Sequence, residues 1–175
     1  MPEGAGTMEA DRSGTPIGGS RARELRTAFP TGVTIVTSRL GESLHGVTVT
    51  SFCFASLDPP RVVIALERHS RSAEAIAASG VFAVHLPSWR EMFLADRFAG
   101  REAPVDGQFS GVAYRPGVTG APLLTGAIAW LECRVSTIWP SGDHTLFLTD
   151  VIAGEGGFGG DPLIYFRRSY RRLEE

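Results

Sequence analysis

Between His45 and Pro60 the chain reads HGVTVTSFCFASLDPP, where small hydroxyl side chains recur at strand spacing. Val47 and Val49 alternate with Thr48 and Thr50, so a strand here has one apolar face and one hydroxyl-bearing face. Ser51, Ser56, Asp58 and the pair Pro59-Pro60 carry the polar character into a turn. Such a surface offers side-chain and backbone donors to a flat, polar molecule, and donors aimed at one edge would stabilise negative charge developing there. Small hydroxyls also suit a half-exposed strand with no ligand, and spacing alone leaves that reading open.

Two further groupings could do chemistry. Ser70-Arg71-Ser72 precedes an Ala-rich helical stretch. One hydroxyl suffices to cap that helix, whereas two hydroxyls, a guanidinium and the free N–H groups of a first turn also make an anion site. The two uses are compatible. Gly142-Asp143-His144 places a carboxylate beside an imidazole in a turn, where the Asp can fix the tautomer and favour the cation. A lone turn His is equally at home as a structural residue. His45, His69 and His85 have no such neighbour, and neither Cys53 nor Cys133 has a Cys or His at ligand spacing, so no metal site is expected. Both cysteines read as buried, inert thiols of a reducing cytosol. Arg167, Arg168, Arg171 and Arg172 make a basic end that either stays solvated or meets a phosphate. Arg101 reads as a solvent-facing residue after a helix end.

These residues need elements to position them. The pattern predicts a short helix over 21–28 and strands over 33–38, 46–52 and 61–66, the last buried on both sides. Helices follow over 73–79 and from the capping-box pair Ser88 and Glu91 to Phe98, with a strand over 81–86 between them. Residues 101–125 read as loop, 127–138 and 145–153 as long strands, and 163–166 as a short last strand. Many strands, tight turns and few helices argue for a small antiparallel barrel, and the lack of a GxGxxG after a strand argues against a dinucleotide fold of alternating strands and helices.

The chain has 175 residues, 43% hydrophobic and 21% charged, which is the composition of one soluble globular domain. Residues 1–20 read as a disordered leader and 21–175 as a single domain. A net charge of −2 gives no general attraction to nucleic acid. No apolar run reaches the length of a membrane span, and the N-terminus has no signal-peptide core, so a cytoplasmic protein is expected.

The block from Gly46 to Pro60 resembles the flavin-binding signature of the flavin reductase family. The resemblance extends from about Phe29 to Tyr170 through Phe29-Pro30-Thr31-Gly32-Val33, Ser70-Arg71-Ser72, Phe82–Leu86, Ala121-Pro122-Leu123-Leu124, Leu131-Glu132-Cys133-Arg134, Gly142-Asp143-His144 and Pro162-Leu163. It implies an antiparallel split β-barrel of the FMN-binding type, active as a homodimer whose sites are completed at the subunit interface. It further implies an NAD(P)H:flavin oxidoreductase that takes FMN or FAD, uses NADH or NADPH, and passes reduced flavin to a separate monooxygenase. By the same resemblance Thr48, Val49, Thr50, Ser51, Ser56 and Leu57 contact the flavin, Ser70, Arg71 and Ser72 its phosphate, and His144, Arg167 and Tyr170 the nicotinamide nucleotide, with His144 as the catalytic residue. Many relatives carry Asn at the position of Thr50 and Tyr at that of Phe166, so this chain lacks those groups. A split-barrel oxidase that acts on a small substrate, as pyridoxamine-phosphate oxidases do, and a flavin carrier without a nucleotide site are the competing readings. Neither needs a group such as His144 over a nicotinamide.

Overall fold

Two strands at opposite edges of the main sheet are consecutive in the chain, and this closes the fold. The computed structural model describes residues 14–102, 106–157 and 159–173. Helix α1 (Gly19–Arg26) leads into β1 (Thr31–Gly32), β2 (Thr34–Leu40), β3 (Ser43–Val49), β4 (Phe52–Leu57) and β5 (Pro60–Glu67). Helix α2 (Arg71–Ser79), β6 (Val81–Leu86), a 3-10 turn (Trp89–Glu91) and α3 (Met92–Phe98) follow. The chain ends with β7 (Tyr114–Pro116), β8 (Pro122–Leu124), β9 (Ala129–Ser141), β10 (His144–Gly156), β11 (Ile164–Phe166) and β12 (Ser169–Arg171). Seven strands form one sheet in the order β3-β2-β6-β9-β10-β5-β4. Every pairing in it is antiparallel. Only Thr50 and Ser51 join the two edge strands β3 and β4, so the sheet must curl until its edges nearly meet. The Ser51 carbonyl accepts the Ala65 N–H of β5 at 3.2 Å and pins the seam. The result is an antiparallel barrel left open along that seam.

The barrel interior is filled by Val36, Val49, Val62, Ile64, Phe82, Val84, Cys133 and Phe147, with Ala73 and Ile76 of α2 packed against them. Each large side chain so buried is worth about 1.5–3 kcal/mol. Leu94, Ala95 and Phe98 of α3 pack instead on Val33, Ile35, Leu124 and Leu163. Strand β2 is therefore covered on both faces, and Thr34 to Ser38 are all buried. Strand β5, expected to be buried on both sides, buries Val62, Ile64 and Leu66 on one face and leaves its other face half-covered. His85 is fully enclosed: its Nδ1 lies 3.0 Å from the Ile35 carbonyl and its Nε2 accepts the Leu124 N–H at 3.0 Å. The proton therefore sits on Nδ1.

Several expectations hold in detail. Ser88 and Glu91 make the capping box, with the Ser88 N–H on Glu91 Oε2 at 2.9 Å and the Arg90 N–H on Ser88 Oγ at 3.1 Å. Others need correction. The strand expected over 46–52 breaks after Val49, because the chain leaves one sheet edge there and joins the other. Gly19 and Ser20 belong to α1 rather than to a leader, and residues 1–13 lie outside the described part. The loop-rich stretch after Arg101 contains the β7–β8 hairpin. Cys133 is buried as expected, and burial pushes its thiol up to about 12, but Cys53 is exposed on β4. No helix among the described residues is long and apolar enough to cross a membrane.

Candidate active site

The open seam is also the site of a cleft of about 460 Å³. Its floor is the end of β3 and the linker, from Val47 to Ser51, and its opposite wall is Ala65–Glu67 of β5 with Ser70 at the start of α2. Asp143 and His144, from the turn between β9 and β10, close one end. Tyr165, Tyr170 and Arg101 close the other, and Arg26 and Arg23 also line it, with Arg23 near enough for its charge to act on Asp143. Residues far apart in sequence meet here because barrel closure brings both edges of the sheet together.

The hydroxyls differ in what they can still do. Thr48 donates its hydroxyl to the Ala95 carbonyl at 2.7 Å, and Ser51 donates to the Ala65 carbonyl at 2.6 Å. Both protons are spent on the fold, leaving those oxygens as acceptors only. Thr50 makes no hydrogen bond among the described residues, and the N–H groups of Thr50 and Ser51 are likewise uncommitted. The donors available to a ligand are therefore concentrated in two residues at the seam. Ser70 accepts the Ala73 N–H at 3.2 Å, so it caps α2 while facing the cleft.

His144 is held from its Nδ1 side by Asp143 at 2.7 Å, with its side chain 40% exposed. The hydrogen bond to His144, its charge and more weakly that of Arg23 hold the Asp143 carboxyl below the usual range. The turn itself is tied to β5, since Arg68 donates from Nη2 to the Gly142 carbonyl at 2.7 Å and from its N–H to the Asp143 carbonyl at 3.0 Å. At the other end, burial and then the neighbouring Asp96 push the Tyr170 hydroxyl up to about 12, so it stays protonated. Arg101 bonds Asp96 at 2.8 Å and the Tyr165 hydroxyl at 3.2 Å, and its guanidinium lies over both tyrosine rings, 5.8 and 5.2 Å from their centres.

Of the residues singled out in the sequence, Thr48, Val49, Thr50, Ser51, Ser70, His144 and Tyr170 line this one cleft. Arg167 lines an adjoining basin that shares Thr50, Ser51 and Tyr165 with it. Ser56 and Leu57 lie at the far end of β4, with Leu57 80% exposed. Arg71 is exposed on α2, and Ser72 is turned inward and buried. Arg101, expected in solvent, is part of the wall. Arg23, Arg26 and Tyr165 carried no local motif and were not anticipated.

A cleft of this kind, with free amides at one edge, an oriented imidazole and several guanidiniums, suits a flat polar ring bearing negative charge. Residues 25–174 match the family described as a flavin reductase like domain. The chain belongs to the flavin reductase family. The reductase component of a 4-hydroxyphenylacetate 3-monooxygenase from Thermus thermophilus is 36% identical to this reductase over 151 residues, covering 86% of this chain and 94% of that one. An NADH flavin reductase of Kitasatospora aureofaciens is 34% identical, covering 98% and 91%. The solved NADH:FAD oxidoreductase SgcE6 of Streptomyces globisporus superposes with a TM-score of 0.83 at 33% identity, over 89% of this chain and 93% of that one. The reductase thus has the antiparallel split-barrel fold expected, and it is an oxidoreductase of that family.

Proposed function

We propose that this reductase oxidises NADH or NADPH, transfers the hydride to FMN or FAD, and supplies the reduced flavin to a separate monooxygenase. The observation that carries the reading is the seam itself: uncommitted donors at Thr50 and Ser51 in the same cleft as the Asp143–His144 pair. The names of the relatives support it, since one is the reductase component of a monooxygenase and another an NADH flavin reductase.

The residues present fit a flavin. Thr50 and Ser51 would present their N–H groups, and Thr50 its hydroxyl, to the polar edge of the ring. Val47 and Val49 give an apolar floor beside it. Ser70, Arg71 and Ser72, with the first-turn N–H groups of α2, are the proposed hold on the flavin phosphate, and Ser70 is the member that faces the cleft. When bound, the flavin supplies the ring system that accepts two electrons as a hydride. The protein's share is positioning and charge. Fixed donors at the seam favour the anionic reduced form, and His144, oriented by Asp143, offers a hydrogen bond to the nicotinamide nucleotide on the opposite side. Tyr170, kept protonated and with its hydroxyl engaged by Asp96, would pack on the nucleotide side, with Arg167 in the adjoining basin.

The same reading includes a homodimer. On the inner face of the sheet, Phe52 is paired with Ile64 and Phe54 with Val62. Ile64 and Val62 are fully buried, yet Phe54 on the edge strand β4 is 52% exposed. An inner-face aromatic left uncovered on an edge strand that also exposes Leu57 is the surface proposed for the interface. Ser56 and Leu57 belong to this strand, so their proposed flavin contacts lie on the interface side of the molecule. The two free thiols suit a reducing cytoplasm.

The test is steady-state oxidation of NADH and NADPH, followed at 340 nm with FMN, FAD, riboflavin or no flavin. Turnover is expected only with a flavin present. Folded protein that no flavin stimulates would refute the reductase reading and leave the oxidase or the carrier.

A further inference from the structure

The tip of the β9–β10 hairpin carries the Asp143–His144 pair, yet Ile138 to Asp143 are all exposed. A hairpin tip without buried side chains moves more easily than the barrel it leaves, so the aim of His144 into the cleft depends on what ties the tip down. The neighbouring turn supplies that tie. Glu67, the last residue of β5, pairs with His144, the first of β10. One residue further on, Arg68 donates its N–H to the Asp143 carbonyl at 3.0 Å and its Nη2 to the Gly142 carbonyl at 2.7 Å. The second of these bonds is short and charge-assisted.

The turn that holds Arg68 is itself closed. The Glu67 carbonyl accepts the Ser70 N–H at 3.0 Å, so residues 67–70 form one tight turn that moves as a unit. Ser70 ends that turn, caps α2 through the Ala73 N–H at 3.2 Å, and lines the cleft. An anion held at Ser70 therefore steadies Arg68, and Arg68 steadies the tip that carries His144. Arg68 lines neither the cleft nor the adjoining basin, so its effect on a ligand must pass through the tip.

We propose that Arg68 is a positioning residue that couples the two halves of the site, so that a flavin phosphate held at Ser70 fixes the Asp143–His144 tip for the nicotinamide nucleotide. This rests on the proposed function for the identity of both ligands. A flavin that carries the phosphate then raises the affinity for the nucleotide, and by linkage the nucleotide raises the affinity for that flavin by the same factor. Riboflavin has the same ring system but no phosphate, so it fills the cleft and leaves the turn unheld.

Hydrogen exchange over residues 138–145 of the full chain reads the tip without turnover. At matched saturation FMN should slow exchange there more than riboflavin does, and Arg68→Ala should remove the difference. Kinetics read the same coupling. With the better of NADH and NADPH, the KM for the nucleotide should be about fivefold lower with saturating FMN than with saturating riboflavin, the low end of ordinary coupling between sites. In Arg68→Ala that ratio should fall to near one. The variant should melt within about 2 °C of the parent, because Arg68 is exposed. Equal KM values with the two flavins in the parent, or a ratio preserved in Arg68→Ala, overturns the proposal. So does a variant that weakens FMN about tenfold with tip exchange unchanged, which would make Arg68 a direct phosphate ligand. Absence of flavin-stimulated oxidation alongside the expected exchange pattern would instead refute the reductase reading and leave the coupling standing.

Discussion

Replacing Gly46 with Ala tests the link between packing and site most directly. Gly46 lies on β3 opposite Thr37, and a Cβ built on it would sit 2.4 Å from two ring carbons of Phe98. Carbon atoms in contact stay about 3.5–4.0 Å apart, so strand or ring must yield by about 1 Å. Phe98 cannot swing away into solvent, because it is 2% exposed and packed edge-on against Phe109 at 5.1 Å. Overpacking of this kind costs about 1–3 kcal/mol. The same helix holds Thr48 through the Ala95 carbonyl at 2.7 Å, and stretching that bond adds about 0.5–1.5 kcal/mol. For a chain of this size the sum lowers the melting temperature by roughly 3–18 °C. Flavin affinity should fall with it, since Thr48 stands on the displaced strand and Thr50 follows directly after it. Circular dichroism melts and a flavin titration measure both. Phe98→Leu supplies the control: by removing the clashing ring it should make the double variant less destabilised than the sum of the singles by about 1 kcal/mol or more. A Gly46→Ala melt within about 1 °C of the parent, or strictly additive singles, would show that α3 is not braced against β3 as argued.

Stability should also fall in mild acid because of His85. Burial lowers its pKa to about 4 in the folded state, against about 6.5 unfolded, so the stabilising neutral form is fully present above pH 6.5. Between pH 6.5 and 4 the unfolded chain takes up the proton first, and urea titrations should show a loss of up to about 3 kcal/mol, which a His85→Gln variant should reduce. Thiol labelling in native buffer should modify Cys53 and spare Cys133 until the protein is unfolded; rapid native labelling of both would contradict the buried, undissociated Cys133. His144→Ala should raise the KM for the nicotinamide nucleotide or slow hydride transfer, at a cost of about 0.5–3 kcal/mol, with flavin affinity near normal. Stopped-flow single turnovers and fluorescence quenching separate the two, and a collapse of flavin binding with unchanged hydride transfer would move His144 to the flavin side.

The sequence made the elements legible wherever burial follows a local period. Val81–Leu86 and the capping box at Ser88 are read correctly because a short, nearly continuous apolar run stands between Gly80 and Pro87 and because Ser88 and Glu91 have the required spacing. The same logic fails at Thr50-Ser51. The apolar phase slips there, since Ser51 stands where an apolar residue is due and Phe52 has the parity of Thr48 and Thr50, but residue types alone do not say that the chain changes sheet edges, with Val49 beside β2 and Phe52 beside β5. The apolar run of β5 suggests double coverage, but it is β2 that has α3 on its outer face. Thr34, Thr37 and Ser38 disguise that by being buried polar residues with hydrogen bonds to carbonyls. Glu132 is disguised in the same way: it is 1% exposed and accepts the N–H groups of Val118 and Thr119 at 2.9 and 2.8 Å, which fixes a loop that reads as formless.

The candidate site divides along the same line. Its hydroxyl strand and its Asp-His turn are contiguous motifs, so residue types alone bring them forward. The arginine wall is assembled from α1, the end of α3 and the last hairpin, and only barrel closure puts these together. One signal for it does exist in the chain. Helix α1 buries none of its residues and carries Arg21, Arg23 and Arg26 against a single acid, Glu24, so packing gives it little reason to be a helix. A helix with no buried face is held in place for what it presents, and at i and i+3 Arg23 and Arg26 share the face that borders both hollows. The acid nearest to them in effect is Asp143 of the turn between β9 and β10, whose carboxyl the charge of Arg23 helps to hold below the usual range, so the helix and the Asp-His turn are linked across the cleft.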